Sequence, residues 1–179
     1  MISLTGTRCR DYAIIVSFIC CLTCGLRRQE VCHLQVHHLD PERNILHIVN
    51  SKENKSRFVL IPDFLISALQ EYDQRTGITS GYMLRQLRDP ERPLTSNTVK
   101  MIFQDLKIST GIDRLHAHLL RHTFAISYLI GGGNLEFLRV FLGHYDYAAT
   151  KTYVAMAAQM KLLGAPVYQL DPIFFQRGY

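Results

Sequence analysis

Apolar positions along the chain recur with two different periods. In residues 115–130, Leu115, Leu119, Phe124 and Tyr128 return near a helical period, and Leu120 and Ala125 widen the same face, which predicts a helix. Residues 8–23 are apolar on nearly all sides, the pattern of a buried helix. Gly25 interrupts it, and helix resumes over 27–34. The period then shortens. Residues 36–39, 45–49 and 57–61 read as three short strands. A turn at 40–44 and a polar loop at 50–56 join them into a sheet.

Beyond the sheet the helical period returns. Pro62 opens a helix over 63–74 with Phe64, Leu65, Leu69 and Tyr72 on one face. Residues 75–92 are loop-like, with a short strand expected at 82–84. Thr95 and Ser96 cap a helix that runs to about Ser109, with Val99, Ile102, Phe103 and Leu106 inward and Gly111 ending it. Gly131-Gly132-Gly133 stops the 115–130 helix. Asn134 caps a helix over 135–142 and Gly143 closes it. A last helix is expected at about 147–157, followed by an irregular, apolar-rich tail over 161–179. The fold class predicted is mainly α with a small three-stranded antiparallel sheet, in a single domain of about 1–160 plus the tail.

Composition narrows the picture. The chain has 179 residues, enough for one real core, and 47% of them are hydrophobic. The most apolar run, 13–22, is about half a bilayer helix, and no small-residue cleavage site follows it. No membrane partner and a cytoplasmic location are expected. A net charge of +5 and a pI near 9.0 suit a polyanion partner without demanding one. Five cysteines, Cys9, Cys20, Cys21, Cys24 and Cys32, crowd the first fifth of the chain and read as buried free thiols. Cys21-x-x-Cys24 has no second pair at metal-ligand spacing, so neither metal nor other cofactor is expected.

Chemistry concentrates at His118-Leu119-Leu120-Arg121-His122. His118 and Arg121 are three apart and share one helix face. Arginine offers a planar fork for two phosphate oxygens, and histidine moves a proton near neutral pH. Further motifs stand in order around this one: Gly25-Leu26-Arg27-Arg28-Gln29-Glu30, Lys52 in Ser51-Lys52-Glu53-Asn54-Lys55-Ser56-Arg57, Leu142-Gly143-His144, and Tyr153 nine residues after His144. Together they resemble the catalytic domain of the tyrosine recombinases, the phage-integrase family, over about residues 10–157.

The resemblance implies roles. Arg27 and Arg121 would be the two catalytic arginines and His118 the histidine between them. His144 would hold the position that is His or Trp in relatives, Lys52 would be the hairpin lysine, and Tyr153 the nucleophile. Glu30 would support Arg27. Arg28, Lys55 and Arg57 are expected to contact DNA, and Lys55 competes with Lys52 as the acid. His122 reads as structural. The chemistry agrees with these residue types: attack on a phosphodiester places charge on non-bridging oxygens that positioned arginines stabilise without a metal. The implied activity is metal-independent strand cleavage and rejoining through a 3′-phosphotyrosyl intermediate. The implied partners are double-stranded DNA and, in a tetrameric synapse, further copies of the chain, with the tail as the expected contact between copies.

Departures stand beside the matches. His38 lies where many relatives carry an acidic residue. The family's N-terminal clamping domain is expected to be absent, and the source to be prokaryotic or a mobile element. Two other readings compete: a DNA-binding or regulatory protein that keeps the fold and cuts nothing, and an enzyme like the type IB topoisomerases.

Overall fold

The computed structural model describes residues 9–49, 56–86, 89 and 91–176. Its helices are α1 (Cys9–Cys24), α2 (Arg28–Cys32), α3 (Asp63–Thr76), α4 (Ser96–Thr110), α5 (Ala117–Ile130), α6 (Leu135–Leu142), α7 (Ala148–Leu162) and α8 (Ile173–Gln176). The strands β1 (Leu39–Asp40), β2 (Ile45–Ile48) and β3 (Arg57–Leu60) form one antiparallel sheet in that order. The mainly α class with a three-stranded sheet is therefore correct.

Helix α1 packs on α3 and α5, α5 carries α7, and α6 lies on β3. One apolar cluster joins α1 and the sheet to α3 and α4. A second joins α5, α6, α7 and α8. The caps explain most boundaries. Thr95 Oγ1 accepts from the Thr98 amide at 3.0 Å, and Asn134 Oδ1 accepts from the Glu136 amide at 2.7 Å. Gly77, Gly111 and Gly143 end α3, α4 and α6 in the left-handed conformation.

Some expectations fail for local reasons. Residues 36–38 form a 3-10 turn rather than strand, because the Gln35 amide donates to His38 Nδ1 at 3.2 Å and the His38 amide to Gln35 O at 2.9 Å. The first strand is thus only two residues long. The strand expected at 82–84 reduces to isolated bridges, Gln35 with Tyr82 and Arg85 with Pro93. Phe64 faces solvent, and Ile66 takes the inward position on α3. Helix α7 runs five residues past its expected end at 157, since nothing before Gly164 breaks it. Cys20, Cys21, Cys24 and Cys32 are free and buried.

The apolar tail docks on its own domain. Phe174 meets Phe124 and Phe141 edge-on, with ring centroids at 5.6 and 6.0 Å, and Phe175 stacks on Tyr128. Phe174 and Leu170 are buried, while Leu162 and Leu163 stay exposed. Deleting residues 166–179 uncovers that aromatic face. Losing the Phe174 ring alone costs about 3–5 kcal/mol, so the truncated protein melts well below the full chain in a thermal scan and is less soluble. An unchanged melting temperature would show that this docking contributes no stability.

Candidate active site

The site lies where the two apolar clusters meet, on three chain corners. The first is Gly25, between α1 and α2. Its φ is +60°, and a Cβ there would come within 2.6 Å of the Phe124 ring, so only glycine fits. Its carbonyl accepts from Arg121 Nη1 at 2.6 Å. The second corner, at the end of α6, supplies the Leu142 carbonyl to Arg121 Nη2 at 2.6 Å and the Gly143 carbonyl to Arg27 Nη2 at 2.9 Å. Two arginines 94 positions apart in sequence are thereby held on neighbouring carbonyls. The third corner carries His144 into α7.

Arg121 is 1% exposed although it is charged. Burial first, then the charges of Arg27 and Arg57, pull its guanidinium down to about 10, which still leaves it protonated at neutral pH. Its Nη2 also lies 3.1 Å from His144 Nε2. An arginine can only donate, so Nε2 accepts and the His144 proton sits on Nδ1. That nitrogen donates to Thr150 Oγ1 at 2.9 Å. Burial, followed by Arg121, Arg27 and Arg57, holds the His144 imidazole down to about 4.

The sign of the pH dependence follows. Between the ordinary histidine value of 6.5 and about 4, the unfolded chain takes up a proton at position 144 that the folded chain refuses. Acidification across that window removes stability. His144→Gln is expected to flatten this part of the stability–pH curve in urea unfolding. The same slope in the variant would show that His144 is free to titrate in the folded protein.

Arg27 is the N-cap of α2, and its own amide donates to Glu30 Oε2 at 2.7 Å while Nη1 donates to Oε1 at 3.1 Å. Its side chain is 39% exposed and borders an open cavity of about 370 Å³ that also touches Tyr82 and Ser96. Glu30 is buried, which by itself would raise its carboxyl. Hydrogen bonds and charge from Arg57, with the Arg27 amide and Arg121, more than offset this and hold it below the ordinary range.

Arg57, expected on the DNA-contacting surface, is placed elsewhere. Its side chain is 8% exposed, with Nη1 and Nη2 on the two Glu30 oxygens at 2.7 and 3.0 Å and Nε on Phe141 O at 2.5 Å. It braces the site from beneath. Arg28 is exposed. Lys52 and Lys55 lie outside the described residues.

Tyr153 projects from α7 between two histidine rings. It stacks on His144 at 6.2 Å with 10° between planes and meets His122 at 5.3 Å. It is 3% exposed, and burial raises its hydroxyl above the ordinary value despite the opposing charges of Arg121 and Arg27. His118 stands exposed at the start of α5, with its ring 4.3 Å from that of His122. Burial, then Arg121, lowers its pKa.

Thus Arg121, His144 and Tyr153 are in direct contact, Arg27 and Glu30 form a second pair joined to them through the Leu142–Gly143 corner, and His118 joins through His122. Sequence reasoning missed Thr150 as the His144 partner. Its signal was its place three residues before Tyr153, on the same helix face.

A buried arginine and a partly exposed one thus meet one corner beside a tyrosine stacked on a histidine, in a helical body around a small sheet. The phage integrase family model matches residues 3–160, and the chain belongs to that family. It is 29% identical over 154 residues to a tyrosine recombinase XerA of Thermococcus onnurineus, covering 86% of this chain and 53% of that protein. It is 31% identical over 162 residues to a tyrosine recombinase XerC of Lactobacillus delbrueckii subsp. bulgaricus, covering 84% and 52%. The chain thus spans about half the length of the curated relatives it matches.

A crystal structure of XerA recombinase superposes with a TM-score of 0.70 at 25% identity, over 94% of this chain and 67% of that one. The Tn1549 transposon integrase in complex with transposon right end DNA superposes at 0.68 with 16% identity, over 90% and 62%, which shows the shared fold. Among the described residues no helix is long and apolar enough to cross a membrane.

Proposed function

We propose that this chain is the catalytic part of a DNA strand-exchange enzyme that works as site-specific recombinases and integrases do. The observation that carries the reading is the convergence of Arg27 and Arg121 on adjoining carbonyls beside the Tyr153–His144 stack. A phosphodiester entering there meets permanent positive charge on its non-bridging oxygens. Tyr153 attacks phosphorus, giving a 3′-phosphotyrosyl link and a free 5′ hydroxyl. Lys52 protonates the leaving 5′ oxygen. His118 donates to a phosphate oxygen, and His144 holds Arg121 and the Tyr153 ring in position. Rejoining runs the steps backward on a second strand, so strands are exchanged without net hydrolysis and without metal.

Double-stranded DNA is the substrate in this reading. Further copies of the chain assemble on it, and exposed Leu162 and Leu163 offer apolar contact beyond the docked tail. The test is incubation with a nicked duplex whose short strand diffuses away after cleavage, followed by a denaturing gel. A shifted covalent protein–DNA band is expected. Binding without such a band favours the non-cutting reading, and relaxation of supercoiled DNA by the protein alone favours the topoisomerase reading. Phosphate tracking by Arg27, Arg28 and the hairpin lysines also predicts duplex affinity that falls steeply with salt. Affinity that is flat from low to physiological salt would remove the charged surface from the account.

A further inference from the structure

His144 touches both Arg121 and Tyr153, so whatever fixes His144 bears on the cleavage step. Its ring is held by Arg121 and Thr150. Its backbone is held by one residue of α6. The Arg139 carbonyl accepts from the His144 amide at 3.0 Å, as at many helix ends. The His144 carbonyl in turn accepts from Arg139 Nη1 at 3.1 Å, a bond that a helix end does not require. The Arg139 guanidinium is itself aimed. Its Nη2 donates to Glu136 Oε1 at 2.6 Å, and its Nε lies 3.1 and 3.0 Å from the two Glu136 oxygens. Its Cζ lies 5.8 Å over the Tyr147 ring, within cation–π range. Hydrogen bonds from Arg139 and then Tyr147 pull the Glu136 carboxyl down to about 2, so it is ionised at neutral pH. Tyr147 is the N-cap of α7, and its carbonyl accepts from the Thr150 and Lys151 amides at 3.0 and 2.8 Å. Glu136 and Arg139 therefore grip both ends of the corner 144–147: the backbone of His144 and the first residue of the helix that carries Tyr153.

We propose that Arg139, aimed by Glu136 and Tyr147, is a positioning residue for the cleavage step, fixing the corner that sets the His144 ring against Arg121 and Tyr153. It acts through the His144 backbone and through the start of α7, not on the phosphate. Its side chain is 25% exposed and that of Glu136 is 46% exposed, and an ion pair so placed adds little to stability. Its effect therefore falls on the rate of adduct formation rather than on the melting temperature. The inference rests on the cleavage chemistry proposed above.

The experiment is single-turnover adduct formation on the nicked duplex at increasing protein concentration. Melting temperature and the His144 ring titration, followed by NMR, are measured in parallel. Arg139→Met keeps the stem and removes every donor. Its saturating rate is expected to fall about 10- to 100-fold, with the half-saturating concentration and the melting temperature near wild type. Arg139→Lys reaches the His144 carbonyl with one donor and is expected to recover part of the rate. Glu136→Ala separates position from charge. Losing a negative charge would by itself tighten duplex binding and lower the His144 pKa. Losing the aim of Arg139 frees the ring from Arg121, so the rate is expected to fall and the ring to titrate above about 4, toward its ordinary 6.5. Should Arg139→Met fail to fold, Glu136→Ala decides alone. A wild-type saturating rate in either variant, weakened duplex affinity in place of a slower rate, or a His144 titration in Glu136→Ala that matches wild type overturns the positioning role. Each of these, with a wild-type adduct present, leaves the cleavage reading intact. Absence of the adduct from the wild type strikes that reading, and the His144 titration in Glu136→Ala then decides whether the clamp holds the ring.

Discussion

Tyr153→Phe yields no covalent adduct on the nicked duplex, while its melting temperature and duplex affinity stay near wild type. The substitution removes one oxygen from a ring that is 3% exposed and held by His144 and His122. Ring packing is untouched, so the change in stability is confined to about 1 kcal/mol or less, against complete loss of the phosphotyrosyl bond. A residual adduct in this variant would mean that another side chain attacks, and the assignment of Tyr153 would fall.

The same duplex separates nucleophile from acid. Lys52→Ala also stops cleavage of ordinary DNA, because the 5′ oxygen would leave as an unprotonated alkoxide. A bridging sulfur at that position leaves without a proton, so sulfur-substituted DNA restores cleavage to Lys52→Ala and not to Tyr153→Phe. Lys55→Ala, treated alike, identifies which hairpin lysine is the acid, since only the true acid's variant shows the rescue. If neither lysine variant loses activity on ordinary DNA, the hairpin has no part in the chemistry.

Which parts of this protein could be read from its sequence depended on how local their causes were. The helices and caps rest on signals within a few residues, such as Asn134 before 135–142 and Gly143 after it, and these were legible. The grouping of Arg27, Arg121, His144 and Tyr153 was legible only as ordered motifs. No local rule brings Gly25 and Leu142 to the same guanidinium. The 3-10 turn at 36–38 hinged on which way the His38 ring pointed, a choice that the apolar alternation does not report.

Arg57 is the most instructive miss. Treated as one more basic residue it went to the DNA surface. Yet it stands two before Val59 and opposite Ile48, both buried, and strand periodicity alone places it on the inward face. What the sequence lacked was a reason to bury a charge. That reason is Glu30, 27 positions away.

That pair sets up the second large effect. Each Glu30 oxygen accepts two hydrogen bonds, from the Arg27 and Arg57 guanidinium groups on Oε1 and from the Arg27 amide and Arg57 on Oε2. Glu30→Ala leaves the Arg57 charge buried and unpaired, which costs about 3–5 kcal/mol. For a chain of this size the melting temperature falls by roughly 6–20 °C. Replacing both partners, Glu30→Leu with Arg57→Met, removes the stranded charge and is expected to regain most of that stability. Adduct formation should not return with it, because Arg27 has lost the carboxylate that fixes its amide and its Nη1. Stability and catalysis would thereby separate in one protein.

Recovery of both would show that Glu30 serves the fold alone. Failure to recover stability would show that packing, not charge, dominates at this seam. The acid limb carries the same logic. The folded Glu30 pKa lies below the ordinary 4.5, so its contribution is complete above that value. It is lost as the pH falls through the folded value. Wild-type stability should drop there, and the doubly substituted protein should lack that component of the drop.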